Sequence, residues 1–245
     1  MTLKVKDRLV LALDVDDKET ALGLVEQLEE YVGVFKVGVQ LFSGEGPEII
    51  RCLRGKGKKV FYDAKYHDIP TTVAKAGKMA VRLGAYIYNV HTLGGYEMMR
   101  MTVEETEKEA AALEVEKPLV LGVTVLTHLD QGMLKEVGIE KSLKKEVVSL
   151  AKLAQRAGLE GVVSSPREIR LIREACGDDF LILTPGIRPC WAEGNEQRRS
   201  MTPGEALEAG ADFIVIGRPI LQADDPAGAA QRVLREMEEA VAKGK

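Results

Sequence analysis

The chain has 245 residues, 45% of them hydrophobic and 29% charged, and its formal net charge is -4. That balance excludes a disordered polymer, and the slight acidity excludes a bulk electrostatic surface for nucleic acid or membrane. An anionic ligand has to be held by a local cluster of positive groups, and the length suits one α/β barrel domain over residues 1–245.

The opening segment, Met1 to Arg8, is charged, and the apolar run behind it is too short for a secretory signal. Nowhere does an apolar stretch approach the ~20 residues of a membrane span. The three cysteines, Cys52, Cys176 and Cys190, are far apart and odd in number, which fits reduced thiols in a cytoplasmic chain better than a disulfide framework or a CxxC metal site.

Short apolar runs predict strands at Leu9–Leu13, Val34–Val37, Val60–Tyr62, Tyr86–Val90, Leu119–Val125, Gly161–Val163, Phe180–Leu183 and Phe213–Ile216. Several are continuously apolar, as parallel strands covered by helices must be. Helical periodicity fills the gaps at Glu19–Tyr31, Pro47–Arg54, Thr72–Leu83, Tyr96–Leu113, Leu143–Ala157, Arg167–Ala175, Pro203–Ala209 and Pro226–Ala240. Gly84, Gly158 and Gly210 mark helix ends. Eight β-then-α units predict a (β/α)8 TIM barrel. A doubly wound sheet is the alternative, but no Gly-x-Gly-x-x-Gly turn follows the first strand.

In such a barrel the chemistry sits at the C-terminal ends of the strands. Polar residues at those ends are Asp14, Lys36, Asp63 with Lys65, Asn89 with His91, Thr124 with Thr127, Ser164, Thr184 with Arg188, and Arg218. The run Tyr62-Asp63-Ala64-Lys65-Tyr66-His67-Asp68-Ile69-Pro70 is the most informative. Strand alternation places Asp63 and Lys65 on one face, and opposite charges facing an interior are costly unless they serve each other or a ligand. Lys36 lies inside an apolar strand and needs the same compensation. Asp14 ends the first strand too early to cap the next helix, a role that Asp16 or Asp17 fits better.

Pro185-Gly186-Ile187-Arg188 and Gly217-Arg218-Pro219-Ile220 follow the seventh and eighth strands, where these barrels bind phosphate through backbone N–H groups; Arg218 adds bidentate contacts. The polar segment 189–200 stands where a lid would close on that phosphate, with Gln197 or an arginine reaching down. His67, His91 and His128 lack metal-site spacing, so no metal is expected. His91 reads as structural.

These segments resemble the orotidine 5'-phosphate decarboxylases, especially the bacterial members, over nearly the whole chain. The matching stretches are the Leu13-Asp14 strand, Phe35-Lys36-Val37-Gly38, Asp63 to Pro70, Thr184 to Pro189 with Gln197-Arg198-Arg199, and Val215 to Ile220. Ala64 and Thr71 depart from the Leu and Asn of the bacterial pattern; Ala64 points away from the site by strand parity. The resemblance implies metal- and cofactor-free decarboxylation of orotidine 5'-phosphate to UMP, the last step of pyrimidine synthesis. It implies that Lys65 protonates C6, that Asp63 lies beside the substrate carboxylate, and that Lys36 and Asp14 complete the charged network and contact the ribose. The resemblance also implies that Asp68 crosses a homodimer interface into the partner's site and that Thr127 and Pro185 approach the ribose and base. It implies that Gln197 and Arg218 hold the phosphate with the backbone of Gly217 nearby, and that Ile69 and Arg188 are further substrate-binding residues.

Three rivals remain at this stage. A magnesium-dependent sugar-phosphate decarboxylase or aldolase of the same superfamily resembles the chain at Asp14, Asp63, Lys65 and Asp68, but carries a Glu where Lys36 stands. A Schiff-base aldolase using Lys65 conflicts with flanking carboxylates that favour the non-nucleophilic ammonium. A non-catalytic phosphate-ligand barrel binds UMP without turnover.

Overall fold

Eight short aliphatic runs pair side by side as parallel strands in a computed structural model that describes residues 4–192 and 201–243. They are β1 (Leu9–Ala12), β2 (Val34–Val37), β3 (Lys59–Tyr66), β4 (Ile87–His91), β5 (Leu119–Val123), β6 (Gly161–Val163), β7 (Leu181–Thr184) and β8 (Phe213–Ile216). Spatial order follows chain order. β1 also pairs with β8 through Leu9↔Ile214, Val10↔Val215 and Leu11↔Ile216, so the sheet closes into a barrel.

Parallel neighbours require a crossover between them, and here the crossovers are helical. The helices are α1 (Lys18–Leu28), α2 (Val39–Glu45), α3 (Glu48–Gly55), α4 (Pro70–Arg82), α5 (Gly95–Ala112), α6 (Gln131–Glu136), α7 (Leu143–Arg156), α8 (Ile169–Cys176), α9 (Pro203–Glu208), α10 (Arg218–Leu221) and α11 (Pro226–Lys243). None is long and apolar enough to cross a membrane among the described residues.

Local chemistry sets the ends. Asp17 caps α1, its carboxylate accepting from Thr20 N at 2.8 Å, while Asp14 stays free for the barrel mouth. Pro70 opens α4 at a position whose N–H has no helical partner. Gly84 takes φ +73 past the end of α4, so that Ala85 N reaches Ala80 O and Gly84 N reaches Val81 O, satisfying two otherwise orphaned carbonyls. Gly158 and Gly210 close α7 and α9 with the same pair of bonds.

Strand alternation divides the apolar residues into two layers. Leu9, Leu11, Phe35, Tyr62, Tyr88 and Ile214 face outward and pack under the helices. Val10, Val34, Phe61, Ile87, Leu121 and Phe213 face inward and fill the barrel. The inward rows continue by twos to Asp14, Lys36, Asp63 and Asn89, so one parity rule gives an apolar floor and a polar mouth.

The predicted strands and the longer helices are all present. β3 runs farther than its apolar core, to Tyr66, and β5 stops at Val123 rather than Val125. The helices α2, α6 and α10 carry no sequence signal: each is seven residues or fewer and buries a single residue, Leu41, Leu134 and Ile220 respectively. One or two turns cannot display a period.

Candidate active site

At the C-terminal mouth of β1 to β3 four charged side chains form a continuous chain. Lys36 Nζ lies 2.9 Å from Asp14 Oδ1 and 3.5 Å from Asp63 Oδ2, and Lys65 Nζ lies 2.7 Å from Asp63 Oδ1. The signs alternate, so every neighbour is an opposite charge. Lys36 and Asp63 are buried; Lys65 is partly exposed, and the Asp14 side chain is 50% exposed. Gly38 completes the space: an added Cβ there would stand 2.7 Å from Lys36 Nζ and 3.6 Å from Asp14 Oδ1.

Burial pushes the Asp63 carboxyl up, but the Lys36 and Lys65 ammoniums, with hydrogen bonds from Lys65 and Asn89, hold it below the usual carboxylate range. Asp63 is therefore a fixed anion at neutral pH, between two cations.

Asp63 and Lys65 do meet, as their spacing predicts, but regular alternation is not the cause. β3 pairs with β4 at Tyr62↔Tyr88 and next at Tyr66↔Val90, so four steps on β3 oppose two on β4. Within this irregularity Lys65 takes φ +50, in the left-handed region. For a residue with a Cβ that conformation costs on the order of 1–2 kcal/mol. Ala64 points outward against the helix-side core, as parity requires.

Asn89, fully buried on β4, spans the irregular segment. Its Oδ1 accepts from Lys65 N at 2.7 Å and its Nδ2 donates to Asp63 Oδ1 at 2.7 Å. Sequence reading places Asn89 among the polar strand ends where the chemistry is expected but gives it no role of its own. The available signal was its position two residues after inward-facing Ile87. His91, one turn of the alternation further, stacks against His67 with ring centroids 5.4 Å apart. Burial, then the His67 and Lys65 charges, lower its tendency to take a proton.

The Asp14–Lys36 end of the charged chain lines a cleft of about 1440 Å³ whose walls also include Thr127, Pro185, Arg188 and Arg218, with Gly217 beside Arg218; Asp63 and Lys65 are not among its lining residues. Gly186, at φ +79, turns the chain after β7. The side chains of Arg188 and Arg218 make no hydrogen bond or ion pair with any described residue. Gln197 lies outside the described residues. Asp68 and Ile69 stand on the rim after β3, both exposed; Asp68 Oδ1 accepts from Ile69 N at 2.6 Å, and no ion pair links Asp68 to Lys65 among the described residues of this chain.

The geometry agrees with what the chain is similar to. The sequence model described as the orotidine 5'-phosphate decarboxylase / HUMPS family matches residues 7–233. An orotidine 5'-phosphate decarboxylase of Syntrophotalea carbinolica is 51% identical over 244 residues, 100% of both chains. One of Syntrophomonas wolfei is 52% identical over 239 residues, 97% of this chain and 100% of the relative. The crystal structure of orotidine 5'-phosphate decarboxylase from Lactobacillus acidophilus superposes with a TM-score of 0.83 at 36% identity, covering 94% of this chain and 98% of that one.

Proposed function

The chain belongs to the orotidine 5'-phosphate decarboxylase / HUMPS family, and from that premise we propose that it decarboxylates orotidine 5'-phosphate to UMP and CO2, in pyrimidine biosynthesis, as a single barrel domain. The observation that carries this reading is the unbroken Asp14–Lys36–Asp63–Lys65 chain at the cleft.

Breaking the C6–carboxylate bond leaves its electron pair on C6, and water stabilises that carbanion poorly. Fixed charges that need no reorganisation stabilise it better. In this reading Lys65 faces C6, stabilises the developing negative charge and then transfers its proton there as CO2 departs. Asp63 orients Lys65 and lies beside the substrate carboxylate. Lys36 and Asp14 fix the far end of the chain and meet the ribose hydroxyls, with Thr127 and Pro185 beside the ribose and base. Arg188, Gly217 and Arg218 hold the phosphate, joined by Gln197. Binding the phosphate remote from C6 lets that energy appear in the chemical step.

The reaction in this reading needs no metal or cofactor. The Lys36 ammonium already lies between Asp14 and Asp63, the carboxylates that a divalent ion would take, and its charge opposes such an ion. This favours the decarboxylase over the magnesium-dependent relatives within the same family.

The active unit in this reading is a cytoplasmic homodimer, with Asp68 and Ile69 entering the site of the second copy. Support comes from the rim after β3 and β4, where Ile69, Leu93 and Tyr96 are exposed apolar residues at 64%, 47% and 39%.

Purified protein should convert orotidine 5'-phosphate to UMP with EDTA present. A folded protein that binds UMP without turnover would be a binding barrel; turnover only of a sugar phosphate with Mg²⁺ would move it to the metal-dependent relatives.

A further inference from the structure

We infer that Asn89 is a positioning residue of the site: its carboxamide clamps the Lys65 backbone and the Asp63 carboxylate to each other and thereby aims the Lys65 ammonium. The inference rests on the decarboxylase reading for its kinetic consequence, and on geometry alone for the clamp.

The donor and acceptor pattern leaves one orientation. The Lys65 amide only donates, so the atom facing it is Oδ1; the Asp63 carboxylate only accepts, so the atom facing it is Nδ2. Both ends of one fully buried amide are thus spent on two residues that are two apart in sequence. They are spent where β3 loses register with β4 and Lys65 takes φ +50. No register pair joins β3 to β4 between Tyr62↔Tyr88 and Tyr66↔Val90, so regular pairing does not hold that segment. Asn89 replaces the ladder bond with a side-chain bond from the neighbouring strand. The second bond orients the carboxylate oxygen that also receives Lys65 Nζ. Backbone and side chain of Lys65 are therefore fixed from one anchor.

A residue that merely fills the core does not require this pairing. An aliphatic residue of similar volume would fill the same space and leave both the Lys65 N–H and one face of Asp63 unsatisfied.

The test compares Asn89→Ala and Asn89→Asp with wild type at saturating orotidine 5'-phosphate across pH. Asn89→Ala should lower kcat about 10²-fold, the usual effect of misplacing a reacting group by an ångström, with KM within about threefold because the phosphate contacts lie on other strands. Asn89→Asp keeps the shape. As a carboxylate it opposes Asp63; with one proton shared between the two, its O–H donates to Asp63 and its carbonyl accepts from Lys65. Its kcat relative to wild type should therefore rise as pH falls. The groups facing this pair are Lys36 from β2, Lys65 on β3 and His91 on β4, with uncharged Leu121 the register partner on β5.

A kcat ratio for Asn89→Asp that is flat with pH, or an Asn89→Ala enzyme within threefold of wild-type kcat, overturns the inference. If wild type has no turnover at all, the functional reading fails, and the clamp is decided separately by the Lys65 amide resonance in ¹⁵N-lysine protein. A slowly exchanging Lys65 amide that becomes fast in Asn89→Ala and slow again in Asn89→Asp at low pH upholds it; an amide indifferent to Asn89 overturns it.

Discussion

The two halves of the barrel mouth are built in opposite ways. On the β1–β4 side, the side chains come from strands, are mostly buried, and satisfy each other at 2.7–3.5 Å. On the β7–β8 side, Arg188 in the loop after β7 and Arg218 at the start of α10 stand just beyond the strands, line the cleft, and pair with no described side chain. In the proposed reading the contrast separates two tasks. Charges that stabilise a transition state are useful when they cannot move, and strands hold them best. Groups that bind an anion need unspent donors, and loops can present them. In the proposed reading the first half is complete without a ligand and the second is completed by one.

The comparison breaks most sharply at Lys65. Lys65→Ala should lower kcat by on the order of 10⁴-fold, since it removes both the proposed proton donor and its charge, while UMP affinity measured by calorimetry changes little. Equal losses in kcat and UMP affinity would erase the division between the halves.

Asp68 sharpens the same comparison across two copies. Asp68→Ala alone should cost about 10²-fold, and mixing it with Lys65→Ala chains should restore activity, because each hybrid dimer carries one intact site. Verified heterodimers that stay inactive exclude the shared site.

On the loop side, Arg218→Ala should raise KM about 10- to 100-fold, corresponding to a lost charge-assisted contact of ~1.5–3 kcal/mol. Added salt should weaken the wild-type enzyme toward this value. An effect confined to kcat would place Arg218 with the chemistry.

Asp63→Asn tests the prebuilt half through stability. Removing the anion leaves the Lys36 and Lys65 ammoniums facing a neutral amide, a destabilisation on the order of 2 kcal/mol after allowing for partial exposure of Lys65. Because the folded-state carboxyl titrates below its unfolded value, its contribution is present above the unfolded pKa of about 3.9 and lost as pH falls through the lower folded value. The gap in thermal stability between wild type and variant should be constant from neutral pH to about 4 and narrow below it. The smallest effect lies outside both halves. Asp17→Ala removes the cap of α1 and should cost about 1 kcal/mol with kcat unchanged.

The sequence by itself determined the barrel, because eight short apolar strands, the amphipathic helices between them and the glycine stops at Gly84, Gly158 and Gly210 are all local patterns. It also determined which charges face the mouth: Asp14, Lys36 and Asp63 continue inward rows that parity alone assigns. Lys65 was legible by identity and position but not by conformation. Its left-handed φ comes from a register shift between two strands, and pairing between strands is a property of the closed sheet. What Asn89 and Gly38 do was illegible for a related reason, although both residues were in view. One acts by bridging from β4 to β3, and the other by leaving space for Lys36; neither contact is encoded in neighbouring residues. Tertiary structure decided these, because hydrogen bonding and steric room are settled between segments that only folding brings together.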